Sequence, residues 1–198
     1  DEIKEIDLDE KSALLIDADN TFGLEIFQKI RKECDDENIM ISPLSISVAF
    51  AMAYNGAESD TKTEMEKAMK LNGLTTEQIN NSYKILIKAL QSLDEKVVFE
   101  IANAIFYADG FTVKSDFLNI NKTVYDAEVE KLNFVSPAAV DKINDWVAEK
   151  THDKITKIIE QLNPLDRMVL LNAIYFNGIW TTKFDEKGTH NLQFTKND

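Results

Sequence analysis

The sequence predicts a domain of the α+β class, because its helical and strand-like segments do not follow a regular β-α-β alternation. Two segments, 97–107 and 167–177, are nearly continuous runs of apolar, β-branched and aromatic residues, which indicates strands covered on both faces. The chain has 198 residues, of which 44% are hydrophobic, enough for a substantial core. No linker or low-complexity stretch divides it, so we expect a tail of residues 1–14 followed by one domain unit over 15–198.

The N-terminal segment mixes acidic residues with spaced apolar ones and is predicted to be a tail or an early strand. A helix is expected from Asn20, because apolar side chains then recur on one face at Phe22, Ile26 and Ile30. Residues 38–41 (NIMI) predict a short buried strand.

The later helices are predicted from their capping residues. Ser42 and Pro43 fit an N-cap and a first helical position, and the helix that follows to Tyr54 is apolar on almost every side, which is typical of a buried helix. Further helix starts are expected at two capping boxes and one more Ser-Pro pair, namely Thr61–Glu64, Thr75–Gln78 and Ser136-Pro137. A helix over 114–124 and a strand over 127–134 complete the prediction.

A local echo links the two apolar strands. Each contains an Asn followed by an apolar pair and two aromatic residues, at 103–107 (NAIFY) and 172–176 (NAIYF). Two strands of similar composition explain the echo on their own. It also suggests that the two strands hold equivalent positions in one sheet.

Composition excludes several classes of partner. A net charge of −13 argues against nucleic acid and against anionic membrane surfaces, both of which attract clusters of Lys and Arg. No run approaches the roughly 18 uncharged apolar residues that a membrane helix needs. Cys34 is the single cysteine and is expected to be an unreactive thiol at a helix end. The first residues do not fix the compartment, and we expect secretion, with the cytoplasm as the alternative.

The sequence offers no catalytic constellation, so we expect a protein that is not an enzyme and has neither cofactor nor metal. Its two histidines, His152 and His190, lie near no metal-binding spacing or nucleophile motif, and His152 fits a cation near a helix C-terminus. Polar residues in apolar surroundings are more informative, at Ser42, Ser45 and Asn172. An N-cap and a satisfied core amide are the ordinary interpretations of Ser42 and Asn172.

Three long motifs, in order, cover most of the chain from about Asn20. The first runs from Asn38 to Ser47 and on through Gly56-Ala57 and 61–64. The second consists of residues 143–147 with Thr151 and 154–155, and the third of residues 170–178 with Trp180 and Phe184. In this order they resemble three regions of the serpin family of protease inhibitors: the region of helices B and C, the helix F motif, and strand 3A with the exit from that strand.

The resemblance implies the N-terminal part of a single serpin domain, with a large sheet A, a helical layer and a metastable native state. It implies inhibition of serine proteases, or less often cysteine proteases, by suicide trapping, in which a cleaved reactive loop inserts into sheet A. The alternative is a non-inhibitory member that acts as a carrier, chaperone or storage protein. By position, the resemblance places Ser42, Ser45 and Asn172 in the family's shutter, Trp180 in its breach, and Asn144, Trp146 and Thr151 in its helix F motif.

The reactive centre is expected to lie outside this chain, which stops within what resembles strand 3C. The specificity residue and the target protease therefore cannot be read from these residues. We expect the C-terminal remainder of the same serpin to be present as a separate chain, after a cut in an exposed loop, unless the sequence is incomplete. A tail that docks on the body through Ile3, Ile6 and Leu8 is a further expectation.

Overall fold

The computed structural model describes residues 8–34, 38–94 and 96–193. Its elements, in chain order, are α1 (Glu10–Glu33), α2 (Pro43–Tyr54), α3 (Ser59–Ala68), α4 (Thr76–Gln91), β1 (Val98–Ala108), α5 (Ser115–Tyr125), β2 (Glu128–Leu132), α6 (Pro137–Lys150), β3 (Met168–Asn177) and a 3-10 turn, Glu186–Gly188. The class is α+β, as predicted. Among the described helices, none is long and apolar enough to cross a membrane.

Helix α1 begins ten residues before the predicted start at Asn20. The Asp9 side chain caps it by accepting a hydrogen bond of 2.7 Å from the Ser12 backbone N–H. Ser12 and Leu15 are already buried, so residues 10–14 are part of the packed helix and not of a tail. The predicted docking of Ile3 and Ile6 lies outside the described residues.

Helix α2 has the predicted bounds, with Ser42 as its N-cap and Pro43 in its first turn. The predicted strand at 38–41 is wrong: these residues have no regular structure, and Met40 is 96% exposed. A strand requires a hydrogen-bonded neighbour, and within the described residues none pairs with this segment.

The two capping boxes have different outcomes. The one at Thr75 is confirmed, since its hydroxyl accepts from the Gln78 N–H and the Gln78 side chain accepts from the Thr75 N–H. The one at Thr61 is wrong, because α3 begins at Ser59 and its N-cap, Glu58, makes no side-chain capping bond. Thr61 is therefore inside the helix. The Ser136-Pro137 start is confirmed at α6.

The sheet has the order β2-β1-β3, with β2 parallel and β3 antiparallel to β1. Both apolar strands are confirmed within a residue of their predicted bounds. Because side chains alternate along a strand, each face has its own core. Ile105, Met168 and Leu170 pack with helices α1, α2 and α4, whereas Ala104 and Leu171 belong to a second core under α6.

Candidate functional site

A chain of hydrogen bonds joins the sheet to the helical layer at its centre. The Ser45 hydroxyl in α2 donates to Asn172 Oδ1 in β3. Asn172 Nδ2 donates to Asn103 Oδ1 in β1 over 2.8 Å, and Asn103 Nδ2 donates to the Tyr125 carbonyl over 2.7 Å. Asn103 is 2% exposed, so its amide depends on these protein partners. We call these four residues the polar chain.

Strand register brings the two asparagines together. Asn103 and Asn172 are direct partners in the antiparallel β1–β3 pair, so both side chains emerge on the face that packs on the helices. The suggestion that the sequence echo marks equivalent sheet positions is thereby confirmed. Asn103 itself was missed as a site residue, although the echo was the signal that could have identified it.

Ser42 lies apart from the polar chain. Its hydroxyl accepts from the Ser45 backbone N–H at 3.3 Å, and the residue is exposed. The structure therefore gives Ser42 the ordinary capping role, and its membership of the family's shutter stays a prediction. Ser45 and Asn172, by contrast, are in direct contact.

Tyr125 extends the polar chain into the helices. Its hydroxyl donates to Asn80 Oδ1 over 2.8 Å, and Asn80 and Asn55 exchange two side-chain hydrogen bonds of 2.8 and 3.0 Å. Burial raises the pKa of Tyr125 well above its ordinary value, so the hydroxyl stays a donor at any physiological pH. Sequence analysis did not single out these residues, because Asn80 and Tyr125 lie in ordinary amphipathic helices and Asn55 is the residue that ends α2.

A buried acid lies beside this network. Asp19 Oδ1 accepts from the Tyr83 hydroxyl over 2.8 Å, while Asp19 Oδ2 has no partner in the described structure. Burial raises the pKa of Asp19 to about 6, against the lowering effects of Tyr83 and of Ser47, whose hydroxyl is near without forming a well-shaped hydrogen bond. Since the folded state holds this proton more tightly than the unfolded state, stability falls as pH rises from about 4 to about 6.

Two of the three residues that resemble the helix F motif, Asn144 and Thr151, fasten α6 to the segment that follows it. Asn144 Nδ2 donates to the Ile159 carbonyl over 2.9 Å, and Asn144 Oδ1 accepts from the backbone N–H groups of Ile158 and Ile159. Thr151 is 2% exposed, and its hydroxyl bonds backbone groups of Val147 and Ile155.

The third residue, Trp146, instead attaches α6 to the sheet. It is buried and meets Phe106 of β1 edge to face, with ring centroids 6.2 Å apart. Such pairs contribute about 0.5–1.5 kcal/mol beyond burial of their area. α6 therefore rests on the sheet through an aromatic contact on β1.

Trp180 lies beyond the end of β3 and is 70% exposed. Its described ring contact is with Phe184, edge to face at 5.7 Å. The structure therefore places it at the exit of β3 but joins it to none of the polar chain. Its role in the breach stays a prediction.

Sheet and helices are joined here by neutral amides, hydroxyls and carbonyls. The side chains of the polar chain can exchange hydrogen-bond partners. The Asn103–Asn172 bond lies within the β1–β3 pair, whereas the Ser45 bond crosses from sheet to helix. If β3 shifts over α2, the second bond must break, so the polar chain can define two positions of the strand.

The architecture is that of a three-stranded sheet with helices on both faces, in which the polar chain joins β3 to α2. A protein-family model described as "Serpin (serine protease inhibitor)" matches residues 17–198. The chain therefore belongs to the serpin family.

Individual relatives agree with this assignment. The chain is 37% identical to Iripin-5 of Ixodes ricinus over 182 residues, which are 89% of this chain and 46% of that protein. It is 33% identical to human Serpin B8 over 188 residues, covering 93% and 50% of the two chains. It thus spans about half the length of the curated relatives it matches.

Solved structures show the same fold. Cleaved kallistatin complexed with heparin superposes with a TM-score of 0.87 at 28% identity, over 93% of this chain and 55% of that one. The thermophilic serpin tengpin in its latent state gives 0.82 at 36% identity, over 94% and 49%. The predicted serpin fold is confirmed.

Proposed function

We propose that the protein containing this chain inhibits serine-type endopeptidases by suicide trapping, with insertion of a cleaved loop beside β3. The observation that carries the proposal is the polar chain, because it joins the apolar strand β3 to α2 through the side-chain hydrogen bond from Ser45. Membership of a family described as serine protease inhibitors supports the inhibitory class. A protease of the cysteine class is the less favoured target.

The protease carries out the bond-breaking step, and insertion of the loop into the sheet supplies the favourable free energy. The protease nucleophile attacks a loop peptide bond, forms an acyl bond to the loop and releases the amine of the residue that follows. The loop, now free at one end, adds as a strand beside β3. Each backbone group paired in this way gains a hydrogen bond inside the protein, which favours the inserted state.

The residues near β3 then have distinct proposed roles. Ser45 and Asn172 hold β3 in its position before loop insertion, and Ser42 fixes the start of α2 beneath them. We assign Trp180 to the point at the exit of β3 where insertion begins. Asn144, Trp146 and Thr151 keep α6 and its following segment in place above the sheet.

We further propose that the rest of the same protein, as a separate or a continuous chain, covers the apolar surface between α1 and residues 39–43. Leu24, Phe27 and Met40 line an open groove there of about 640 Å³ and are exposed. Exposed apolar patches of this kind mark interfaces. An SDS gel of the purified protein distinguishes the forms, since a second band of comparable size indicates a separate chain and a single larger band a continuous one.

We also propose that the protein is secreted, with the cytoplasm as the alternative. Detection of the intact protein in cell-free medium, with a cytosolic marker absent, supports secretion. Confinement to the cell lysate contradicts it.

Incubation of the full-length protein with trypsin, chymotrypsin, elastase and subtilisin tests the inhibitory function. We expect an SDS-stable adduct with at least one protease, destroyed by hydroxide because the bond is an ester. Cleavage by all four without any adduct would refute inhibition and favour the non-inhibitory alternative. A catalytically dead protease, with its serine replaced by alanine, is the control and must give no adduct.

A further inference from the structure

Three cationic or protonatable side chains at α6 lie opposite three carboxylates of the sheet. Lys142 Nζ is 3.4 Å from Glu130 Oε2, and Lys150 Nζ is 2.8 Å from Glu128 Oε1. Just past the helix, His152 Nε2 is 2.7 Å from Glu100 Oε2, a hydrogen bond that becomes an ion pair when the imidazole is protonated. We call these three contacts the clasp.

Secondary structure dictates this alignment. Glu128 and Glu130 are two residues apart in β2 and so point to one face of the sheet. Their partners in β1 are Ala104 and Phe106, which belong to the core under α6, so that face is the one α6 covers. Glu100 follows the same alternation in β1.

The helix presents its cations with a matching period. Lys142 and Lys150 are eight residues apart, slightly more than two helical turns, and therefore lie on one side of α6. The hydrogen bond to Glu128 raises the pKa of Lys150, which keeps that side chain charged. A second carboxylate also pairs with this lysine, since Glu149 Oε1 is 3.3 Å from Lys150 Nζ.

The opposite side of α6 is held differently. β3 contains no Asp, Glu, Lys or Arg, and within the described residues no ion pair or hydrogen bond joins it to α6. It contacts the α6 side through the apolar side chains of Leu171 and Ala173, and the centroid of the Tyr175 ring lies 4.2 Å from that of the His152 ring. The polar attachment of α6 to the sheet is therefore confined to β1 and β2.

We propose that the clasp is a latch that holds α6 on the β1–β2 side of the sheet and sets how readily α6 lifts from β3. The inference rests on the proposed function in one respect, since lifting matters only if a strand must enter beside β3. Asn144 and Thr151 tie residues 155–159 to α6, so helix and following segment lift as one body.

Hydrogen exchange of the full-length protein, followed by mass spectrometry of peptides from 137–162, measures this opening directly. The test variant combines Lys142→Met, Lys150→Met and His152→Phe, which keep the side-chain bulk and remove the polar contacts. We expect exchange about tenfold faster at low salt, which corresponds to about 1.4 kcal/mol in total for three half-exposed contacts. In the wild type, raising the salt to about 0.5 M should give most of the same acceleration.

Lys157→Met is the matched control, because Lys157 pairs with Glu160 inside the same segment and has no ion pair with a strand in the described structure. Unchanged exchange in the control together with faster exchange in the triple variant supports the latch. Equal exchange in wild type and triple variant, or equal acceleration in the control, overturns it.

Adduct formation with a protease is recorded separately on the same proteins. Faster exchange without any adduct in the wild type leaves the latch supported and the inhibitory function refuted. Normal adducts with unchanged exchange leave the function supported and the latch refuted.

Discussion

Replacing Asn103 with Leu removes two hydrogen bonds of the polar chain while keeping the size of the side chain. The change leaves Asn172 Nδ2 and the Tyr125 carbonyl without their partners, next to a residue that is 2% exposed. An orphaned buried polar group costs about 1–3 kcal/mol. With two such groups, we expect the free energy of unfolding to fall by about 3 kcal/mol.

The same reasoning applies to Asn172→Leu, which orphans Asn103 Oδ1 and the Ser45 hydroxyl and should cost about 3 kcal/mol. In the double variant the two orphans that belong to the Asn103–Asn172 bond disappear together. Only the Tyr125 carbonyl and the Ser45 hydroxyl remain unpaired. The double variant should therefore also lose about 3 kcal/mol, where independent effects would add to about 6 kcal/mol.

Urea unfolding of the four proteins, followed by tryptophan fluorescence in the full-length protein, measures this coupling. Asn119→Leu, at an exposed position of α5, is the control and should change the midpoint little. We also expect Asn172→Leu to shift the native protein towards a loop-inserted or polymeric form, seen on a native gel. Additive losses in the double variant would refute the polar chain as a unit. An unchanged urea midpoint and unchanged inhibitory stoichiometry for Asn172→Leu would refute its switching role.

Three further substitutions test other parts of the structure. Asp19→Asn should raise the free energy of unfolding by about 2–3 kcal/mol at pH 8 and by little at pH 4, because it removes a carboxylate whose pKa is raised to about 6 in the fold. Urea midpoints at both pH values check this prediction. An equal effect for Asp17→Asn would contradict it. Gly23→Ala places a Cβ 2.6 Å from the Cβ of Pro43, so we expect a loss of about 1–3 kcal/mol in thermal unfolding, and full stability would show that the contact relaxes freely. Thr151→Val removes the hydroxyl that accepts a part-buried hydrogen bond from the Ile155 backbone N–H and should speed hydrogen exchange after α6 by about tenfold, whereas exchange at wild-type rate would remove its proposed role.

The elements that could be predicted from sequence are those in which a local signal and the tertiary packing agree. Ser42-Pro43 and Thr75–Gln78 specify helix starts through their own backbone bonds, so they needed no distant partner. The strand prediction for 38–41 was wrong because a strand needs hydrogen bonds from another segment. The predicted start of α1 was wrong because its cap, Asp9, lies in an acidic segment that was interpreted as a tail or an early strand.

The candidate site was predictable in part. Asn172 stood out because an amide in an apolar strand is costly without partners, and the structure supplies two. Asn103 carried the same signal in the sequence echo, but identifying it required the strand register, which periodicity does not provide. Asp19 and Tyr83 were not predicted, since their pairing connects residues 64 positions apart in two helices.

The two faces of the sheet are attached by different physical means, and this difference bears on how β3 could move. On the helical face, the polar chain fixes β3 by directional hydrogen bonds that are either made or broken. The bond to α2 is the one that the Ser45 hydroxyl donates to Asn172. On the α6 face, the described contacts of β3 are apolar packing and the Tyr175–His152 ring contact, which weaken gradually as surfaces slide, while the ionic contacts of α6 go to β1 and β2. A displacement of β3 therefore meets an abrupt resistance on one face and a graded one on the other. This asymmetry predicts that substitutions in the polar chain change which state is populated, whereas substitutions in the clasp change the rate at which it is reached.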